Sequence, residues 1–314
     1  MTSLVAVDIG GTHARFALAE VAGGRVMSLG EATVLRSADH AGLAQAWKAF
    51  AAGHGGTLPD AAALGVAGPV TGGPVHFVNS HWVVDPSTLK RDLGVERSIL
   101  INDFGAMAHA AHALGPADMV HLCGPEGTLP EVGAISVIGP GTGLGVAVLQ
   151  RAEKSYVILG TEGAHIHFAP LNEEERRVCD SVITAHGRAS VERIVSGPGL
   201  GEITRSLNAS DARGDAALWD EATESGSRSL DVFLACYGSA VGDLALAHGA
   251  MAVVLAGGLT NRIAHILRSS RFHDRFCDKG RYRARMESIP IKLITHPQPG
   301  LFGAAAAFAK EYAG

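Results

Sequence analysis

At 314 residues the chain is longer than one small core organises, so two packed domains are expected. Hydrophobic residues make up 47% and charged residues 18%, a balance that excludes a disordered chain. The net charge is −5 and no basic stripe with interleaved aromatics occurs, which argues against a nucleic-acid partner or a membrane surface.

The opening stretch LVAVDIGGTHARFALAEV (4–21) reads as a strand, a Gly-Gly-Thr turn and a returning strand, with Phe16 and Leu18 in the period of two. It lacks a positive n-region and meets Asp8 early, so no signal peptide and a cytoplasmic location are expected. ATVLRS (32–37) reads as a strand and residues 40–52 as a helix. AAALGVAGPV (61–70) and SILIND (98–103) read as further strands, with a helix beginning near Asp103.

AISVIGPGTGLGVAVLQR (134–151) then repeats the opening design, again a glycine-tipped hairpin, with Val146 and Val148 alternating in the returning strand. After it come a strand at SYVILG (155–160), a long helical region from about 172 to 248, and strands at MAVVLAGG (251–258) and IPIKLITH (289–296). The tail LFGAAAAFAKEYA (301–313) reads as a helix that crosses back to the first domain. Strands alternating with helices favour parallel sheets covered on both faces. The expected division is a small α/β domain over residues 1–108 with the C-terminal helix (about 300–314), and a large α/β domain over 109–299.

The longest uncharged apolar stretch, 244–259, holds His248 and a Gly pair, and falls short of the roughly 20 residues of a membrane span. Cys123, Cys179, Cys236 and Cys277 are far apart and form no CxxC pair, so they read as reduced thiols rather than a zinc site or a disulfide framework.

Glycine turns between strands converge backbone N–H groups with no Cβ in the way, a geometry that holds anions and phosphates above all. Gly10-Gly11-Thr12 and Gly141-Thr142-Gly143 each add a hydroxyl, and two such turns would clamp a triphosphate. Asp8 is placed to hold a hydrated Mg²⁺ beside the first turn. Each turn alone also reads as a plain structural hairpin. The competing nucleotide motifs fail: GPGTGLG carries Leu144 where GxGxxG needs its last glycine, and no Walker lysine is present. The pair Asn102-Asp103, at the end of an apolar strand, reads either as a turn or helix cap or as a reactive site.

DIGGTHAR, VAGPVTG, NSHW, LINDF, GPGTGLG, TEGAHIHFAP, ERIVSGPGL and VVLAGGL, in that order, resemble the bacterial (proteobacterial-type) glucokinases of the hexokinase and actin-like ATPase superfamily. The similarity runs from residue 4 to about 307. It implies a two-domain actin-like ATPase (ribonuclease H-like) fold with an inter-domain cleft, and transfer of the ATP γ-phosphoryl group to the 6-hydroxyl of D-glucose at the start of glycolysis. It also implies Mg²⁺ and a cytoplasmic homodimer. Asp103 matches the family's catalytic base, and Asn102, Glu162, His165, Glu192 and Asn79 match its glucose-binding residues. The ATP-binding positions are Val7, Asp8, Ile9, Gly10, Gly11, Thr12, Gly141, Thr142 and Gly143, with Gly257-Gly258 as the adenosine-side turn.

Taken singly, Glu192 reads as a first-turn helix acid, His165 as a core histidine and Trp82 as packing. His13 and His167 depart from the family, which carries Asn and Asp there, and bear on the pH profile. The CxCGxxGCxE zinc motif and helix-turn-helix of the neighbouring repressor-and-kinase group are absent. Two alternatives stand: a kinase for another hexose or an N-acetylhexosamine, and a sugar-independent nucleotide-binding module.

Overall fold

The computed structural model describes residues 1–77, 80–208 and 214–312. Two compact units emerge, Met1–Gly115 with His296–Gly314, and Pro116–Thr295.

In the first unit β1 (Thr2–Ile9) and β2 (His13–Ala22) form an antiparallel hairpin around the glycine turn. β3 (Arg25–Leu29) and β4 (Thr33–Arg36) pair with the outer edge of β2. There follow α1 (Leu43–Ala52), β5 (Ala61–Val66), the short ribbon β6 (Val75–His76) and β7 (Val83–Val84), α2 (Leu89–Leu93), β8 (Arg97–Asn102) and α3 (Asp103–Ala113). The sheet order is β3-β2-β1-β5-β8, with β1, β5 and β8 parallel.

Alternation along β1 sorts the unit into two cores. Val5, Val7 and Ile9 pack toward Leu43, Trp47 and Phe50 of α1. Leu4 and Ala6 pack toward the C-terminal helix Pro299–Glu311, against Leu301, Ala304, Ala305 and Phe308. Asp8 belongs to this second row. Trp82 is buried beside α1, its indole N–H donating to the carbonyls of Ser37 and His40, so it is a packing residue.

The second unit repeats the plan. β9 (Met119–Cys123) precedes the hairpin β10 (Gly133–Pro140) and β11 (Leu144–Ala152), which β12 (Ser155–Thr161) extends. Among the described residues five helices follow, α4 (Glu173–His186), α5 (Val191–Ile194), α6 (Gly197–Asn208), α7 (Asp215–Ser225) and α8 (Arg228–Ala247). Then come β13 (Ala252–Leu255), α9 (Gly258–Leu267), α10 (Phe272–Cys277), α11 (Arg283–Glu287) and β14 (Ile291–Ile294), and in the first unit the C-terminal helix, α12. The order β12-β11-β10-β13-β14 matches β3-β2-β1-β5-β8 strand for strand, and β9 is added at the far edge. Each sheet is therefore mixed, antiparallel around its hairpin and parallel across the strands that follow, as the two hairpins and the helix–strand alternation together imply.

The helical region expected over about 172–248 is broken by its own capping residues. Asn172, Ser190 and Ser227 accept first-turn backbone N–H groups of α4, α5 and α8. Gly187 and Gly226 end α4 and α7 in the left-handed conformation. The last of these helices, α8, has the length and apolarity of a membrane span, yet most of it is buried against α6, α10 and the sheet; it is a core helix. A buried bidentate pair, Arg275 with Glu175 at 2.8 and 3.1 Å, ties α10 to α4.

Candidate functional site

The first glycine turn is closed by Gly10 N–H donating to the His13 carbonyl at 2.9 Å. Val7 and Ile9 are fully buried in the core, so any ligand at these positions meets backbone only. Asp8 stands directly across the hairpin from Arg15, and Arg15 Nη1 lies 3.5 Å from its carboxylate. On its other side is the first turn of α12, where a Cβ at Gly300 would sit 2.9 Å from Asp8 Oδ2. Burial pushes the Asp8 carboxyl above its usual range, while the Arg15 guanidinium pulls the other way. Neither partner was named from sequence. Arg15 could have been found by counting outward from the turn, because Ile9 faces Ala14 and the next pair is Asp8 and Arg15.

Asn102 and Asp103 divide the roles that the sequence left open. Asn102 has extended backbone and caps α3, its Oδ1 accepting from Phe104 N–H (2.9 Å) and Gly105 N–H (3.1 Å). Its Nδ2 donates to the Gly68 carbonyl at 3.0 Å. That leaves one amide hydrogen for any further partner. Asp103 is the first residue of α3, half-buried, with Oδ1 2.9 Å from Phe104 N–H. A carboxylate in a helix's first turn is favoured by the helix dipole.

In the second unit Glu162, His165 and Glu192 come together. Glu162 follows β12 and precedes the 3₁₀ turn Gly163–His165, which brings His165 Nε2 to 3.5 Å from Glu162 Oε2. Glu192 lies in the first turn of α5, with Oε1 3.9 Å from His165 Nδ1. The helix-dipole reading of Glu192 is thus true of its place but incomplete. Its Oε2 accepts from Leu144 N–H at 3.0 Å, at the foot of the second glycine turn. Glu162 and His165 are exposed and Glu192 is more enclosed, so acceptors and an imidazole line one accessible patch. His165 is not a core histidine. Asn79 lies outside the described residues.

The second turn is latched from two sides. Gly141 N–H donates to the Gly143 carbonyl, and Gly197 N–H at the start of α6 donates to the Gly141 carbonyl, both at 2.7 Å. Thr142 at the tip is exposed. Gly257 caps α9 at φ +94°, and a Cβ there would stand 3.2 Å from the Pro140 carbonyl. The starts of α6 and α9 therefore flank one phosphate-sized turn, a setting suited to anions. Of the departures from the family pattern, His13 closes the first turn through its carbonyl, and His167 Nδ1 lies 2.9 Å from the Phe168 carbonyl.

Asp8 fits a magnesium ion by donor chemistry. Mg²⁺ is held by one or two carboxylates and completes its octahedron with water and phosphate oxygens. Among the described residues no group of three or more His, Cys, Asp or Glu is placed to hold a metal.

A duplicated hairpin-headed sheet with a glycine turn in each copy is the actin-like ATPase fold found in sugar kinases. The glucokinase family model matches residues 4–311. A glucokinase of Zymomonas mobilis subsp. mobilis is 48% identical over 318 residues, covering 98% of each chain. One from Caulobacter vibrioides is 40% identical over 317 residues, covering 97% of this chain and 94% of its own. Among solved structures, a glucokinase from an Antarctic psychrotroph has a TM-score of 0.83 at 32% identity and covers 98% of both chains. A ROK family glucokinase from Streptomyces griseus, in complex with glucose and AMPPNP, has a TM-score of 0.67 at 20% identity and covers 98% of this chain and 99% of its own; it shares the fold. The chain belongs to the glucokinase family.

Proposed function

We propose that the chain phosphorylates D-glucose at its 6-hydroxyl with ATP, giving glucose 6-phosphate and ADP. The observation that carries this is the Glu162–His165–Glu192 cluster anchored beside the Gly141–Gly143 turn. Carboxylates accept from neighbouring hydroxyls and an imidazole nitrogen accepts or donates, so the cluster suits a polyol rather than an apolar or anionic ligand. A site matched to hydroxyls rejects analogues that leave its polar groups unpaired.

In this reading Glu162, His165 and Glu192 hold the sugar, and the remaining amide hydrogen of Asn102 contributes one more bond. The glycine turns at 10–12 and 141–143 hold phosphates, and Gly257-Gly258 lies against the adenosine. Asp8 would hold Mg²⁺, which would supply positive charge to screen the phosphates. Asp103 takes the proton of the attacking hydroxyl; the rest of the work is alignment and charge neutralisation. Cytoplasmic location and a homodimer complete the proposal. The test pairs a panel of hexoses with ATP and follows ADP release, with and without EDTA. Magnesium-dependent turnover with glucose is expected; none with glucose, or equal turnover with every sugar or with none, rejects the reading.

A further inference from the structure

The two oxygens of Glu192 face different neighbours. Oε1 is turned to His165, and Oε2 accepts the Leu144 N–H immediately after the phosphate turn. The fit is tight: a Cβ on Gly143 would overlap Oε2. The turn is held again by Gly197, whose N–H bonds the Gly141 carbonyl and whose own carbonyl accepts the Trp219 indole N–H at 2.7 Å. On the other side, Val191 N–H bonds the Ile166 carbonyl and Phe168 N–H bonds the Ala189 carbonyl. The start of α5 is thereby stitched to the segment carrying Glu162 and His165.

We infer that Glu192, besides meeting sugar hydroxyls, is the positioning residue of the second phosphate turn, so that one carboxylate sets nucleotide affinity as well as sugar affinity. The inference rests on the sugar-kinase reading and adds a second duty to one of its residues. The chemistry is direct. A hydrogen bond to a charged acceptor is stronger than a neutral one, so the Glu192 carboxylate adds a strong latch to the two neutral backbone bonds at Gly141. Gly143 is glycine here because the carboxylate occupies the space a side chain would take.

A residue that only contacts sugar would leave nucleotide binding untouched when no sugar is present. The experiment is therefore calorimetric titration of AMPPNP with Mg²⁺ into sugar-free protein, followed by titration of glucose. Glu192→Ala is expected to weaken AMPPNP binding about tenfold, within the range of coupling between contacting groups. Glu162→Ala, which removes a carboxylate that faces His165, should weaken glucose binding and leave AMPPNP binding unchanged. Glu192→Gln keeps an acceptor oxygen but not the charge, and is expected to restore AMPPNP binding in part, losing less than Glu192→Ala, while glucose binding stays weak. Gly143→Ala should weaken AMPPNP binding, and the Gly143→Ala/Glu192→Ala double variant should be no worse than the weaker single one.

Unchanged AMPPNP binding in Glu192→Ala, equal losses in the Gln and Ala variants, or additive losses in the double variant each overturn the inference. Thermal melts of every variant separate a lost latch from a lost fold. A wild-type protein that binds AMPPNP but no glucose would instead reject the sugar-kinase reading, so the two failures are distinguishable.

Discussion

At the scale of single residues, Asn102 and Asp103 stand side by side at the start of α3, where the first caps the helix and the second is proposed as the base. The Asn102 amide caps α3 through Phe104 N–H and Gly105 N–H, and the Asp103 carboxylate shares the Phe104 N–H at the same helix start. Asp103→Asn should therefore keep the fold and glucose binding but lower turnover by roughly 10² to 10⁴, the range of general-base catalysis. Full turnover in that variant, measured by ADP release, would remove Asp103 from the mechanism. Asn102→Ala should act differently, through loss of the cap, and cost about 1 kcal/mol of stability in denaturant unfolding.

At the scale of elements, what places Asp103 is the meeting of α3 and α12. A Cβ on Gly303 would collide with the Ala106 carbonyl, so the two helices touch backbone to backbone. The small residues Ala304 and Ala305 continue this close approach onto the sheet. Gly303→Ala is expected to destabilise the protein by about 1–3 kcal/mol, the cost of overpacking a close-packed core, and to lower turnover with it because Asp103 opens the displaced helix. A melt and a turnover assay on the same sample check both. In the second unit Glu175→Gln leaves Arg275 buried with an uncompensated charge, and should cost about 3–5 kcal/mol by chemical denaturation.

At the scale of the whole molecule, stability should fall with acid through a buried histidine six residues along α3 from Asp103. Burial, together with Lys310 and His112, holds His109 down to about 4. Its folded value lies below the unfolded one, so the unfolded chain binds the extra proton first. Stability is then unaffected above about pH 6.5, falls as the pH drops from about 6.5 to about 4, and loses up to about 3 kcal/mol from this group. Melting temperatures across that window, compared with His109→Leu, measure its share; a variant with the same slope as wild type would assign the loss elsewhere.

Much of the architecture was written in local pattern. The two glycine-tipped hairpins, alternation in β1, β2, β10 and β11, and the C-terminal helix are all short-range signals, and the structure carries each of them. β3 and β9 were not legible, because Arg25–Leu29 is an exposed edge strand with no clean alternation, and Met119–Cys123 gains its place only by pairing with distant β14. The helical region over about 172–248 was visible, but its division into separate helices depended on caps that look like ordinary loop residues.

The chain's own order of residues decided which chemical groups exist: a carboxylate after an apolar strand, two phosphate-sized turns, acids and an imidazole near a bend. Only the folded arrangement decided how they are used. It set Arg15 and Gly300 around Asp8, gave the α3 cap to Asn102, and turned a helix acid at 192 onto the backbone at 144. The reason is physical. Composition and periodicity report burial and backbone shape, which are local, whereas a hydrogen bond or a shared oxygen depends on atoms tens of residues apart arriving within about 3 Å of each other.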